Sequence, residues 1–317
     1  SFPTRRSSDL QAPTDADLHD RLGQLRISRL RQHFPRILQV EAVAEARRFM
    51  HWELFFADHL LLRGGFDLVV GNPPWIKVEW NEAGILGEKN PLFAIRKVSA
   101  SDLVKLRADA FADFPGLQAA WTEELQEAEG TQNYLNAMQN YPLLKGVQTN
   151  LYKCFILTAW RLSGPQGVSG LLHPEGPYDD PKGGALREAI YTRLRRHFQF
   201  VNVKKLFAEV LHWVTYSINV YGPCRHQPIF DTVANAFVPA TVDASYQHQG
   251  EGLADGIKTE KGEWNVTGHR DRIVQVDEAV LATFAQLYDE PGTPARRARL
   301  PALHVGALGS VLAKLAA

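Results

Sequence analysis

Asn72-Pro73-Pro74-Trp75 places a side-chain amide, two prolines and an aromatic ring in four consecutive positions. The Asn72 side-chain carbonyl is an acceptor with two lone pairs. Each proline lacks an N–H and fixes its own φ. Pro73 also keeps Asn72 out of the helical region, and Pro74 does the same to Pro73. The Pro73 carbonyl is therefore aimed with little entropy loss. Two acceptors converging on an exocyclic amine take both of its hydrogens. They favour a tetrahedral nitrogen whose lone pair is no longer shared with a ring, which makes it a nucleophile. Trp75 offers a stacking face for the heterocycle, worth roughly 1–3 kcal/mol per base. The structural alternative is a strand-ending proline turn with a packed tryptophan, since Asn-Pro alone is an ordinary turn starter.

The element that must position this tetrapeptide is the apolar run Phe66-Asp67-Leu68-Val69-Val70-Gly71. Gly64-Gly65 precede it and two prolines follow it. Its β-branched and aromatic content predicts a buried parallel strand. In an open α/β sheet, ligands bind beyond the carboxyl ends of such strands.

The stretch Asp67–Trp75, DLVVGNPPW, resembles the catalytic motif of adenine-N6 DNA methyltransferases of Type I and Type IIG restriction-modification and related phage-defence systems. His51-Trp52-Glu53-Leu54, Gly65-Phe66-Asp67 and the sequence to about Gly222 share the resemblance. It implies the second half of a Rossmann-like S-adenosylmethionine-dependent methyltransferase sheet, an α/β fold with helical insertions. It also implies double-stranded DNA with a flipped adenine as substrate, S-adenosylmethionine as methyl donor, and partner restriction or defence subunits. By the same resemblance Asn72 and Pro73, on the stiff turn made with Pro74, hold the amine, and Trp75 stacks on the base. Asp67 and Gly71 are the cofactor-side candidates. The family's Gly-rich cofactor loop should precede the motif, yet Gln11 to Phe66 reads as helix. The same tetrapeptide suits any planar amine, so an RNA adenine or a protein glutamine amide remain alternatives. So does a binding subunit that keeps the fold without turnover.

Further candidates follow the motif. Lys77, in Ile76-Lys77-Val78-Glu79-Trp80, either faces phosphate or is a solvated loop lysine. The loop 173–184 follows a predicted strand at 167–172, so His173, Glu175 and Tyr178 are candidates for the substrate pocket. Asp179 and Asp180 add acids there, but the spacing does not make a metal or nuclease site, and no metal is expected. A structural turn held by its prolines is the other reading. Arg187, Arg193, Arg195 and Arg196 with His197 suggest a basic helix over 185–197, either phosphate-facing or solvated.

The remaining pattern sets the organisation. Helices are predicted at 15–34, 40–50, 101–111, 117–129, 151–162 and 277–288, and strands at 198–206 and 216–221. The expected division is a helical lead-in at 11–62, a partial catalytic domain at 63–222 with an insertion at 76–148, and a target-recognition or spacer region from 223 to 317. Within that last region, weak strands are predicted at 238–242 and 263–266, and a basic linker at 291–301. Ser1–Leu10, SFPTRRSSDL, reads as the translation of a short-read sequencing adaptor and is set aside from the fold. The chain is accordingly expected to be a fragment, inactive alone and poorly soluble.

Composition bounds the class. Of 317 residues, 45% are apolar and 22% charged, as in globular proteins. Lys+Arg and Asp+Glu are 35 each, so a nucleic-acid partner needs a local basic patch. The only cysteines, Cys154 and Cys224, give neither a zinc spacing nor a disulfide framework. That fits a cytoplasmic location. No apolar run approaches the about 18 residues of a membrane span.

Overall fold

The computed structural model describes residues 18–96, 98–147 and 150–316. The adaptor-like decapeptide lies outside them. By its contacts the chain divides into two units, residues 1–60 and 61–317.

In the first unit, α1 (Ile27–His33), α2 (Arg36–Arg47) and α3 (Trp52–Phe55) are helices without a single buried residue. Leu18, Leu22 and Leu25 were expected in one long helix, but a tight turn closes the bridge His19↔Leu25 instead. Asp20 drives this turn, accepting from the backbone N–H groups of Leu22 and Gln24 at 2.8 Å each. An aspartate that can serve its own backbone competes with helix formation. Helix α4 (Ala57–Arg63) follows.

The second unit is built on β1 (Phe66–Gly71), β2 (Ser163–Pro174), β3 (Leu194–Val201), β4 (Thr215–Tyr221), β5 (Ile229–Ala236) and β6 (Val274–Asp277). They form one mixed sheet in the order β1-β2-β4-β3-β5-β6. β1 and β2 are parallel, β4 is antiparallel to both β2 and β3, β5 is parallel to β3, and β6 is antiparallel to β5. The carboxyl ends of β1, β2, β3 and β5 therefore share one edge with the amino ends of β4 and β6. Entry into β1 needs glycine. Gly65 sits at φ +135°, and a Cβ there would meet backbone atoms of Leu162 and Gly164 at 2.6 Å. β1 is not the fully buried strand its composition suggests. Among the described residues it pairs on one side only, and Leu68 and Val70 are 64% and 73% exposed.

Between β1 and β2 lie α5 (Glu82–Gly87), α6 (Leu92–Ile95), α7 (Ala100–Asp113) and α8 (Leu117–Asn136). Ser99 caps α7 by accepting from the Asp102 N–H. Leu86, Phe93, Leu103, Ala110 and Leu117 give this helical segment a core of its own. Glu82 receives Arg107 at 2.5 Å and the Trp121 indole at 3.2 Å. Helix α9 (Leu151–Leu162) buries Tyr152, Cys154, Ile156, Ala159 and Leu162 against the sheet. Asn150 precedes it but its side chain makes no cap bond.

After β2 come α10 (Gly176–Asp179) and α11 (Gly184–Tyr191), so the expected proline-rich loop is in part strand and in part helix. The predicted basic helix stops at Tyr191. Arg193 lies in the following turn and Arg195 and Arg196 on β3. Arg187 is buried, donating to the carbonyls of Arg297 (2.9 Å) and Asp180 (2.5 Å). These arginines thus share no helix face.

The sheet does not stop at Gly222. β5 and β6 extend it, and α12 (Ala240–Gln247) replaces the strand predicted at 238–242. The strand predicted at 263–266 is reduced to the bridge Lys258↔Trp264. Helix α13 (Glu278–Tyr288) is capped by Asp277, which accepts from Val280 at 2.9 Å. The expected linker 291–301 is packed instead: Ala298 and Leu300 are buried, and Tyr191 donates to the Ala298 carbonyl at 2.7 Å. Helix α14 (Ala307–Ala316) closes the described chain. No helix among the described residues is long and apolar enough to cross a membrane.

Candidate functional site

Asn72–Trp75 leaves the carboxyl end of β1 as irregular chain. Asn72 is exposed, Pro73 buried, and Pro74 and Trp75 half-buried. The exposed amide is thus presented by a turn whose next residue is anchored in the protein. The segment beyond is pinned as well. The Ile76 carbonyl accepts from Leu151 N–H at 3.0 Å, and the Val78 carbonyl accepts from the Gln132 side chain at 2.8 Å.

Trp75 is held from two directions. Its indole N–H donates to the Leu172 carbonyl near the end of β2 at 3.3 Å. Its ring packs on Phe207 (centroids 5.6 Å) and Tyr216 (5.7 Å), with Phe200 stacked on Tyr216 at 5.7 Å. Nothing in the sequence pattern singled out Phe207. It sits in the 202–214 connection between β3 and β4, whose chemistry is visible only once that connection lies at the same sheet edge. Asn202 shapes it, donating to the Phe207 and Val210 carbonyls at 2.8 Å and accepting from Phe207 N–H at 3.1 Å. Asn202 is itself fully buried.

On the opposite sheet face lies a buried polar cluster. The alternation of β4 sends Tyr216 and Ile218 towards the aromatic group and Ser217, Asn219 and Tyr221 the other way. There His173 meets the Tyr221 hydroxyl at 2.9 Å and the Pro174 carbonyl at 2.8 Å. Tyr178 donates to Asn219 at 2.5 Å. Glu175 accepts from Gln199 at 2.9 Å and lies 3.2 Å from His197, whose other nitrogen meets the Thr232 hydroxyl at 2.8 Å. Burial alone would raise the Glu175 carboxyl, but His197, Ser217 and Gln199 outweigh it and hold the carboxyl below its ordinary range. Burial pushes His173 down to about 4, so it is neutral near pH 7.

The structure therefore divides the sequence candidates. Asn72 and Trp75 stand together at the sheet edge. His173, Glu175 and Tyr178 are all buried and engaged by other side chains rather than lining an open surface. Lys77 is paired with Glu79. Asp67 points into solvent, with Arg63 3.9 Å away, and Gly71 is only half-buried. A Cβ at Gly71 would meet a single Leu171 methyl at 3.8 Å, so no close backbone cradle exists there. No strand precedes β1 among the described residues, hence no strand-to-helix glycine turn either. No group of three or more metal-ligating side chains occurs among the described residues.

Fold and site together define a mixed α/β protein whose six-stranded sheet carries an Asn-Pro-Pro-Trp turn and an aromatic group at one edge. No protein-family model matches the chain, and no curated protein matches it. Similar solved structures include the modification subunit of a putative type I restriction enzyme from Vibrio vulnificus YJ016 (TM-score 0.32, 11% identity, 74% of this chain, 38% of that one). A chain of a type I R-M system superposes with TM-score 0.32 at 12% identity, over 79% of this chain and 42% of that one. The type IIG restriction endonuclease BpuSI does so with TM-score 0.32 at 13% identity, over 67% and 19%. The chain thus spans about two fifths of the first two. Superposition at this level assigns no activity.

Proposed function

We propose that this chain carries the target-base half of an adenine-N6 methyltransferase acting on double-stranded DNA in a restriction-modification or phage-defence system. The observation that carries this reading is the exposed Asn72 amide at the carboxyl end of β1, beside the anchored Trp75. Strand order supports it. β1-β2-β4-β3, with antiparallel β4 between β2 and β3, is the arrangement expected for the closing half of a Rossmann-like methyltransferase sheet.

In this reading the flipped adenine presents its amine to the Asn72 side-chain carbonyl and the Pro73 backbone carbonyl. Both accept, so the nitrogen lone pair is freed from the ring and directed away from them. S-adenosylmethionine would supply the methyl group. The described residues offer no cradle that fits it. Asn72 and Pro73 orient, and Trp75 holds the base against its return to the duplex. Flipping costs a few kcal/mol that stacking must offset.

The decisive experiment is methyl transfer by the full-length protein carrying this chain, with labelled donor and, separately, mixed genomic DNA, RNA and protein acceptors. Label appearing as N6-methyladenine in DNA supports the reading. Label confined to RNA adenine or to glutamine would transfer the same device to another substrate, and no label in any acceptor would leave a binding subunit.

Trp75 is expected to hold the extruded base by stacking. A fluorescent adenine analogue at the target reports extrusion. Trp75→Phe is expected to keep much of the signal and Trp75→Ala to lose most of it, by a factor of roughly ten, from the loss of about 1–3 kcal/mol of stacking. Equal signals from wild type and Trp75→Ala would remove the stacking role. Because Trp75 also packs on Phe207 and Tyr216, a melting curve must accompany each variant.

A further inference from the structure

The Tyr216 hydroxyl is buried and has no hydrogen-bond partner. Its ring is equally enclosed: Phe200 stacks on it at 5.7 Å, Phe207 stands edge-on at 5.0 Å and 87°, and Trp75 lies at 5.7 Å. A buried hydroxyl without a partner destabilises a fold, whereas phenylalanine would fill the same space without that cost. Nothing in the described protein uses this oxygen. Tyr216 is the second residue of β4, at the sheet edge that carries Asn72, and its ring packs on the two rings best placed to receive a base.

Those two rings are not parted here. Trp75 and Phe207 have centroids 5.6 Å apart and planes 57° from parallel. A base between them needs about 7 Å, two stacking gaps of roughly 3.4 Å each. A base therefore enters only as the rings separate, and Tyr216 packs against both of them. The phenol stays protonated throughout, since burial raises it further above its ordinary value. It is then an O–H donor in an apolar setting, where hydrogen bonds discriminate most strongly.

We propose that Tyr216 is a specificity residue of the base pocket, its hydroxyl donating to a ring nitrogen of the extruded purine while Asn72 and Pro73 take the exocyclic amine. This rests on the reading of the chain as an adenine methyltransferase. It adds a recognition contact to a ring nitrogen, on a strand remote in sequence from the Asn-Pro-Pro-Trp turn. Asn202 serves as a positioning residue, because its three bonds fix the chain that carries Phe207 edge-on to the Tyr216 ring.

The test uses Tyr216→Phe in the full-length protein, which removes one oxygen and no packing. Transfer is measured on DNA made with adenine, 1-deaza-, 3-deaza- or 7-deazaadenine. Wild type is expected to be slower, about fivefold to tenfold, on the one analogue that lacks the contacted nitrogen. Tyr216→Phe is expected to be slower than wild type on adenine by the same factor and to lose that one discrimination while retaining the other two ratios. Its melting temperature is expected to equal or exceed that of wild type, because the lost hydroxyl had no partner. Unchanged ratios for all three analogues would overturn the proposal, as would a marked loss of thermal stability, which would show that the hydroxyl serves the fold. Absence of transfer to adenine by wild type itself would instead end the underlying functional reading, and this contact with it.

Discussion

Under the proposed function, Asn72→Ala is expected to reduce methyl transfer on the order of a hundredfold or more, with DNA binding close to wild type. An oriented group that acts on developing charge in a protected site typically contributes that much to rate. The structure makes the variant informative for a separate reason. Asn72 is exposed while Pro73 behind it is buried, so truncating the amide leaves the anchored part of the turn intact. A drop in rate is then attributable to the chemistry at the amine. The measurement is single-turnover transfer at saturating DNA, paired with a binding titration. A variant that transfers at the wild-type rate would sink the assignment of Asn72, and one that fails to bind DNA would move its role from chemistry to recognition.

The place of the Asn-Pro-Pro-Trp turn at the end of a strand is legible because its residues are local. A strand, a glycine and Asn-Pro-Pro-Trp lie within ten consecutive positions, and the carboxyl end of a strand is a place where ligands meet sheets. Helix α9 was legible for the same kind of reason: one amphipathic stripe, ended by Ser163-Gly164-Pro165. Other assignments failed where distant residues decide. Arg195 and Arg196 looked helical beside Leu186, Ile190 and Leu194, yet pairing with β4 and β5 takes them into a strand. The linker 291–301 looked loose because proline and arginine dominate it, but its carbonyls are what Arg187 and Tyr191 require. His173, Glu175 and Tyr178 are polar residues beside a strand end, which is what makes them look like pocket candidates. That polarity is spent on one another's neighbours across β3 and β4, a satisfaction no spacing rule reveals. Phe207 and Tyr216 are illegible for the converse reason: apolar-looking residues on separate elements become one aromatic group only after the sheet brings them to Trp75.

The largest pH effect is expected from the buried face of the same edge. His173 is fully buried with both ring nitrogens engaged, and the loss of solvent pushes its pKa from 6.5 to about 4. The folded value is depressed, so protons favour the unfolded chain. The neutral ring contributes its stability in full above 6.5, and that stability is lost as pH falls through the interval down to about 4. The gap corresponds to about 3 kcal/mol at 1.36 kcal/mol per pH unit, a large share of the 5–15 kcal/mol typical of a domain. His304 is also lowered by burial and adds in the same direction. Glu175 acts in a different window: its carboxyl is held below 4.5, so its contribution is present above that value and fails only in stronger acid. His173→Gln retains an amide donor for the Pro174 carbonyl and an acceptor for the Tyr221 hydroxyl, but it cannot take up a proton. Urea unfolding at pH 7, 5.5 and 4.5 should therefore show wild type losing stability steadily and the variant losing clearly less, even if the variant starts lower at pH 7. Parallel losses in the two proteins would mean that His173 does not titrate between the folded and unfolded states, and that the buried cluster tolerates charge far better than its enclosure implies.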